Sequence, residues 1–241
     1  MTPDSEFLAA VERAKLDAMK ELAYGASHEI NNPLANISAR AQTLLRGEAD
    51  PERRRVLEAI HLQALRAHEM ISDLMLFARP PKLALAAVDL SSVLRQVVGE
   101  LAPECAQRRI ELAVAADASV NLTADGKQLV VALKAVIVNS IEAIGAAGRI
   151  DVSCAMENHE ANGSPHAVVT VRDNGPGIAD AVRPHIFDPF FSGREAGRGL
   201  GFGLSKAWRI VTEHGGEIVA EGPDQGAAFR IELPIQNAMS S

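Results

Sequence analysis

The sequence predicts a multi-domain chain: an all-α helical hairpin over residues 1–79, a linker over 80–88 and an α+β sandwich over 89–236. Three observations carry that expectation. Apolar residues in the first third recur in steps of three and four, the period of a helix face. Past Pro80 and Pro81 the texture changes to short alternating runs, the mark of half-buried strands, interleaved with helical stretches. Between Gly175 and Gly201 neither period holds, and six glycines and three prolines fall in that one stretch.

Composition sets the outer bounds. The 241 residues are 47% hydrophobic, sufficient for one large domain or two small ones with a core. The net charge is −7, with acids and bases mixed along the chain. That leaves no basic stripe for nucleic acid and no polybasic arm for membranes. Cys105 and Cys154 stand in neither a metal-binding nor a disulfide spacing, which suits a reducing, cytoplasmic setting. The start, MTPDSEFLAAVERAKLDAMK, is amphipathic and charged, unlike a signal peptide. The longest apolar run, LVVALKAVIV, is too short to cross a bilayer, so no direct membrane contact is expected.

Taken in order, Leu8, Val11, Met19, Leu22, Ala26, Ile30, Ile37, Ala41 and Leu44 keep one face of a long first helix. GEADP breaks it, with Asp50 placed to cap a second helix and Pro51 at its first position. The stripe Leu57, Ile60, Ala64, Ala67, Ile71, Leu74, Ala78 then runs faultlessly in threes and fours, a heptad seam. A hairpin with such a seam needs a partner, and the simplest is a second copy, giving a dimeric four-helix bundle. In the second domain RIELAVA, RIDVSCAM, HAVVTVRD, GEIVAEG and AAFRIELP read as strands. Helices are expected at 91–107, 125–146 and 203–214, packed on one face of the sheet.

Four stretches carry chemistry. HEINNPLANI places His28, Glu29, Asn32 and Pro33 inside the first helix, where Pro33 costs about 3 kcal/mol and should bend or loosen the backbone. His28 lies two residues from Ala26 and from Ile30, about 200° from the buried stripe, so it should face water as a nucleophile available at neutral pH. VRDNGPG sets Asp173 at a strand end, followed by Gly175 and Gly177, which let backbone approach a flat ligand. GRGLGFGLSKAWRIV spaces Gly197, Gly199, Gly201 and Gly203 at every second residue and runs into a helix, an arrangement suited to cradling phosphates. Between these, HIFDPFFSGRE gathers three aromatics beside Arg194 in a lid. Asn139 shares a helix face with Glu142 and Ala143, and a carboxamide oxygen suits magnesium when phosphates complete its shell.

These stretches together resemble the catalytic core of the sensor histidine kinases, the transmitter half of two-component systems. HEINNPL is similar to the H box, VNSIEA to the N box, DNGPGI to the first glycine box, FDPFF to the F box and GRGLGFGLS to the second glycine box. All five stand in family order, and their spelling is most similar to the nitrogen-regulator-like branch. The resemblance implies a phosphotransfer hairpin and an ATP-binding domain of Bergerat (GHKL) type. It assigns His28 as phosphoacceptor, Glu29 as the base taking its proton, and Asn139 as the Mg2+ ligand. Asp173 would hold the adenine amino group, and Gly175, Gly177, Gly199, Gly201 and Gly203 would line the ATP. Asn32 matches the position that orients water in members with phosphatase activity. The implied partners are a second copy and the receiver domain of a response regulator.

Two departures stand out. Ala135 replaces the asparagine usual four residues before the magnesium ligand. Glu142 stands where some members carry lysine, which leaves Arg194 and Arg198 to face the γ-phosphate, and SGR replaces TTK with a different geometry of charge. The alternatives are an ATPase of the gyrase, Hsp90 and MutL type, a serine kinase of the anti-sigma type, and a dimeric scaffold with a degenerate nucleotide site. Ala135 removes the base that such an ATPase needs, and the serine kinase has no hairpin; Ala135 is also the one feature that favours the scaffold.

Overall fold

The computed structural model describes residues 29–78, 81–116, 119–159, 163–189, 191, 201–222 and 225–235. The chain divides into two compact units, Met1–Pro81 and Lys82–Ser241.

In the first unit, helix α1 is described over 29–45 and continues through Pro33, and α2 runs Pro51–Ala78. The break between them is built as GEADP predicts. Asp50 Oδ1 accepts from the Glu52 N–H at 2.8 Å, while Pro51, with no N–H to leave unpaired, opens the helix. The small residues Ala41 and Ala64 are the buried apolar positions of this unit, at 3% and 5% exposure among the described residues. A polar bridge lies beside them: His61 of α2 meets Ser38 Oγ at 2.9 Å through Nδ1 and Gln42 Nε2 at 3.2 Å through Nε2. Ile30, Ile37, Leu44 and Ile60, all on the expected stripes, stay 40–61% exposed in the single chain.

The second unit begins with β1 (Ala86–Asp89), α3 (Leu90–Gln107), β2 (Ile110–Ala115), β3 (Asn121–Ala124) and α4 (Gly126–Ile144). It continues with β4 (Gly148–Asn158), β5 (Pro165–Asp173), a 3-10 turn at Arg183–His185, α5 (Gly203–Glu213), β6 (Glu217–Glu221) and β7 (Ala227–Pro234). The main sheet has the order β2-β4-β5-β7-β6; β2 and β4 are parallel and the other pairs antiparallel.

Strand alternation separates its faces. Ile150, Val152, Val169, Val171, Phe229 and Ile231 are buried towards α3, α4 and α5. Arg149, Asp151, Arg230 and Glu232 line the other face, where Arg149 pairs with Asp151 and Glu111, and Arg230 with Glu157 and Glu232. The helices therefore cover one face, as expected. Cys105 and Cys154 are free, buried thiols, and burial pushes both thiols up, away from the thiolate.

The structure adjusts the sequence reading at three places. Four residues of the stretch read as linker and domain start form β1, which pairs antiparallel with β3 in a small second sheet. Asp125, expected inside its helix, is instead the N-cap of α4, and α4 ends at Ile144, with Gly145 turned to φ +75°. The stretch after Gly175 is not wholly without structure, since it includes the 3-10 turn at Arg183–His185.

Candidate nucleotide site

Asp173 ends β5 on the helix-facing side of the sheet, between Ile150 of β4 and Ala227 of β7 in register. Its carboxylate is buried, with the residue at 4% exposure, and held by three donors. Ser140 Oγ donates to Oδ2 at 2.8 Å, while the backbone N–H groups of Gly175 and Ala227 donate to Oδ1 at 3.0 and 3.2 Å. A buried charge so fixed keeps its orientation, and an acceptor-only carboxylate can still receive one further N–H from a ligand.

Ser140 is a site residue that sequence reading missed. It sits mid-helix among the buried Val136, Ile137 and Ile141 and is itself fully buried. A fully buried hydroxyl needs a partner, and its sequence neighbourhood signals that need without naming the carboxylate. Asn139, adjacent on α4, is half-buried. Ser140 thus places the expected magnesium ligand one residue from the group that orders Asp173.

The glycines answer to close approaches. At Gly175 a Cβ would lie 3.0 Å from Asp173 Oδ1, inside ordinary contact. Gly177 has φ +80°, and a Cβ there would sit 2.9 Å from the carbonyl oxygen of Gly226. Gly226, also at positive φ, would drive a Cβ into the carbonyl of Asp173. Gly226 was not foreseen, since a lone glycine in a short turn carries no periodic signal. Asn174 completes the turn by accepting the Arg149 N–H through Oδ1 at 2.8 Å.

On the other side, Gly201 at φ +70° leaves no room for a side chain against the carbonyl of Phe191, and Gly203 opens α5 with nothing near its Cβ position. The helix is anchored there by Ser205, fully buried, whose Oγ donates to Phe202 O at 3.1 Å. The structure thus brings together Asp173, Gly175 and Gly177, with Asn139 adjacent through Ser140. Gly201 and Gly203 lie at the start of α5, which packs along α4. Arg194, Arg198 and Gly199 lie outside the described residues, as does His28. Glu29 and Asn32 stand exposed on α1 in the first unit.

Among the described residues no cluster of three His, Cys, Asp or Glu side chains could hold a metal alone. The donor set fits Mg2+ only as one protein carboxamide completed by phosphate oxygens and water, the usual manner for this ion at nucleotide sites.

Comparison with known proteins identifies the two domains. Residues 18–82 match the family model of the His Kinase A (phospho-acceptor) domain, and residues 124–237 that of the Histidine kinase-, DNA gyrase B-, and HSP90-like ATPase. The chain is 32% identical over 234 residues to the sensor histidine kinase ZraS of Salmonella typhi, covering 95% of this chain and 49% of that protein. It is 30% identical over 231 residues to sporulation kinase C of Bacillus subtilis (strain 168), covering 95% of this chain and 52% of the relative. The chain therefore spans about half the length of these curated relatives. Among solved structures, full-length ShkA in complex with AMPPNP is similar with a TM-score of 0.77 and 27% identity, over 91% of this chain and 47% of that one. With both domains present in the order its motifs foretell, the chain belongs to the sensor histidine kinase family.

Proposed function

We propose that the chain is a protein histidine kinase that transfers the γ-phosphoryl group of ATP to His28 and then to an aspartate on the receiver domain of a response regulator. The observation that carries this reading is the fixed carboxylate of Asp173 beside Gly175 and Gly177, whose Cβ positions are closed by that carboxylate and by the Gly226 carbonyl, together with an α5 that begins on glycine and packs along α4. Such a site accepts a flat base at the carboxylate and phosphates near a helix N-terminus. The AMPPNP bound to its structural relative is in keeping with that.

In this reading Asp173 receives the adenine amino group, and Asn139 holds Mg2+. The ion neutralises phosphate charge when bound. The lid arginines Arg194 and Arg198 face the γ-phosphate. The imidazole of His28 attacks phosphorus, the bond to the β-phosphate oxygen breaks, ADP leaves, and Glu29 takes the imidazole proton. Asn32, one turn from His28, orients water for removal of phosphate from the regulator. The functional form is a homodimer through the hairpin, with residues 1–79 as the phosphotransfer unit and 89–236 as the nucleotide unit. It works in the cytoplasm, alone or as the inner part of a longer receptor. Among the described residues no helix is long and apolar enough to cross a membrane.

Incubation with γ-labelled ATP followed by acid and alkali challenge tests the reading. Label that survives alkali and is lost in acid is expected. Label with the reverse stability would instead mark a serine kinase, and phosphate release without label an ATPase.

A further inference from the structure

Asp125 and His214 lie at the far ends of α4 and α5 from the nucleotide groups, and both are more heavily bonded than capping a helix requires. Asp125 Oδ1 accepts from the N–H groups of Lys127 and Gln128 at 3.1 and 3.2 Å, an ordinary N-cap. Its second oxygen, Oδ2, reaches back 41 residues to the N–H of Ala84 at 3.0 Å. Its own N–H donates across 89 residues to Nε2 of His214 at 3.0 Å. His214 Nδ1 meets the carbonyl of Ile210 at 2.8 Å. Because a carbonyl only accepts and an amide N–H only donates, the ring is the neutral tautomer with its proton on Nδ1.

Three segments therefore meet at one buried residue, Asp125, through its carboxylate and its backbone N–H, and that residue is 7% exposed. Ala84 belongs to the segment that follows the boundary between the units. Asp125 heads the helix that carries Asn139 and Ser140. His214 ends the helix that begins at Gly203. Leu129 and Leu133 of α4 and Ala207 and Ile210 of α5 are buried where the two helices pack, and apolar packing has no direction of its own. The hydrogen bond to His214 has one, and it ties the end of α5 to the start of α4.

We propose that Asp125 and His214 are positioning residues for the nucleotide site, which set the spacing between Asn139 and the glycine-led start of α5 and bind the segment at Ala84 into the same frame. This rests on the reading of the site as a nucleotide site. The start of the second unit, at Ala84, is thereby tied to the wall proposed to bind ATP.

The test uses the full chain and titrates MgADP, with the rate of label uptake at saturating ATP and urea unfolding measured beside it. His214→Leu removes the acceptor and should weaken MgADP by about fivefold to tenfold, the worth of about one hydrogen bond, with little change in rate at saturation. His214→Gln keeps an acceptor at that reach and should stay within about twofold of wild type. Asp125→Asn retains the cap but turns one oxygen into a donor, and Ala84→Pro deletes the partner N–H. If the bond acts as described, the double variant is no weaker than the worse single one.

Wild type that binds no MgADP would overturn the nucleotide reading and this proposal with it. Wild type that binds while His214→Leu binds equally well overturns the positioning role alone. So does a Gln variant as impaired as Leu, or additive losses in the Ala84→Pro, Asp125→Asn pair.

Discussion

Ile30, Ile37, Leu44 and Ile60 of the hairpin are 40–61% exposed, whereas Leu90, Leu94, Val136, Ile137 and Phe229 of the second unit are at 0–1%. Both units have the apolar residues a core requires, but among the described residues it is the second that buries its large ones around its own interior. Its sheet lays one face under three helices and keeps its charged pairs on the other. The hairpin leaves much of its apolar stripe exposed among the described residues, and in the proposed dimer a second copy would cover it. Fully burying one such aliphatic side chain is worth about 1.5–3 kcal/mol, and four per protomer is a substantial drive to associate. The difference suits the proposed division of labour. The nucleotide unit has to hold its geometry unaided, while the hairpin holds a nucleophile that must meet several partners in turn.

The largest expected effect follows from removing the anchor of the self-sufficient unit. Asp173→Ala takes away the acceptor of Ser140, Gly175 and Ala227 at once. MgADP affinity should fall by at least about a hundredfold, since buried donors are left unpaired as well as adenine unrecognised. The hairpin and its dimer should be untouched. Calorimetry showing near-normal affinity would remove the nucleotide assignment.

Next comes a change that should harm only the incomplete core. Ile60 is 43% exposed in the single chain, so Ile60→Asp has little to disturb within one protomer. In a four-helix bundle the same carboxylate is buried without a partner, at a cost of several kcal/mol. Sedimentation should show dimer association weakened by about a hundredfold or more. The same substitution at Ile137, fully buried, should unfold the second unit. An Ile60→Asp chain that stays dimeric would place the interface elsewhere.

How much of this was legible in sequence depended on the range of the interactions. The start of α2 was legible because Asp50 and Pro51 act on their own helix, and the five strands of the main sheet were legible by alternation. β1 and β3 were not, since AAVD and NLTA are four residues each and become strands only by pairing with each other. Asp173 stood out beside its glycines, but Ser140, 33 residues away, and Gly226 are joined to it only by the fold. Asp125 looked like a helix residue because its ties to Ala84 and His214 span 41 and 89 positions.

A smaller effect concerns acid. The Ala84 N–H, followed by those of Gln128 and Lys127, holds the Asp125 carboxyl below its ordinary 3.8, against the opposing pull of burial. A group whose folded value is depressed stabilises above its unfolded value and loses that contribution as pH falls through the folded one. The second unit should therefore lose part of its stability as pH drops below about 3.8, and Asp125→Asn should flatten that limb of the urea-midpoint profile. An unchanged profile would show that the carboxylate is not held by these bonds.

The smallest effect on label uptake is expected at Asn32. Asn32→Ala should retain autophosphorylation within about twofold yet lose most regulator dephosphorylation, because alanine cannot hold water in line. Glu29→Ala should show the larger loss in autophosphorylation. Equal loss of both activities in Asn32→Ala would mean that the asparagine only shapes the helix around Pro33.

The contrast between a unit that binds and a unit that accepts is tested most directly in one protein, His28→Ala, by measuring MgADP affinity and label uptake on the same preparation. The account predicts wild-type affinity, since the acceptor and the nucleotide contacts belong to different units, together with no alkali-stable, acid-labile phosphate. Continued uptake of such phosphate would contradict it, because another residue would then be the acceptor.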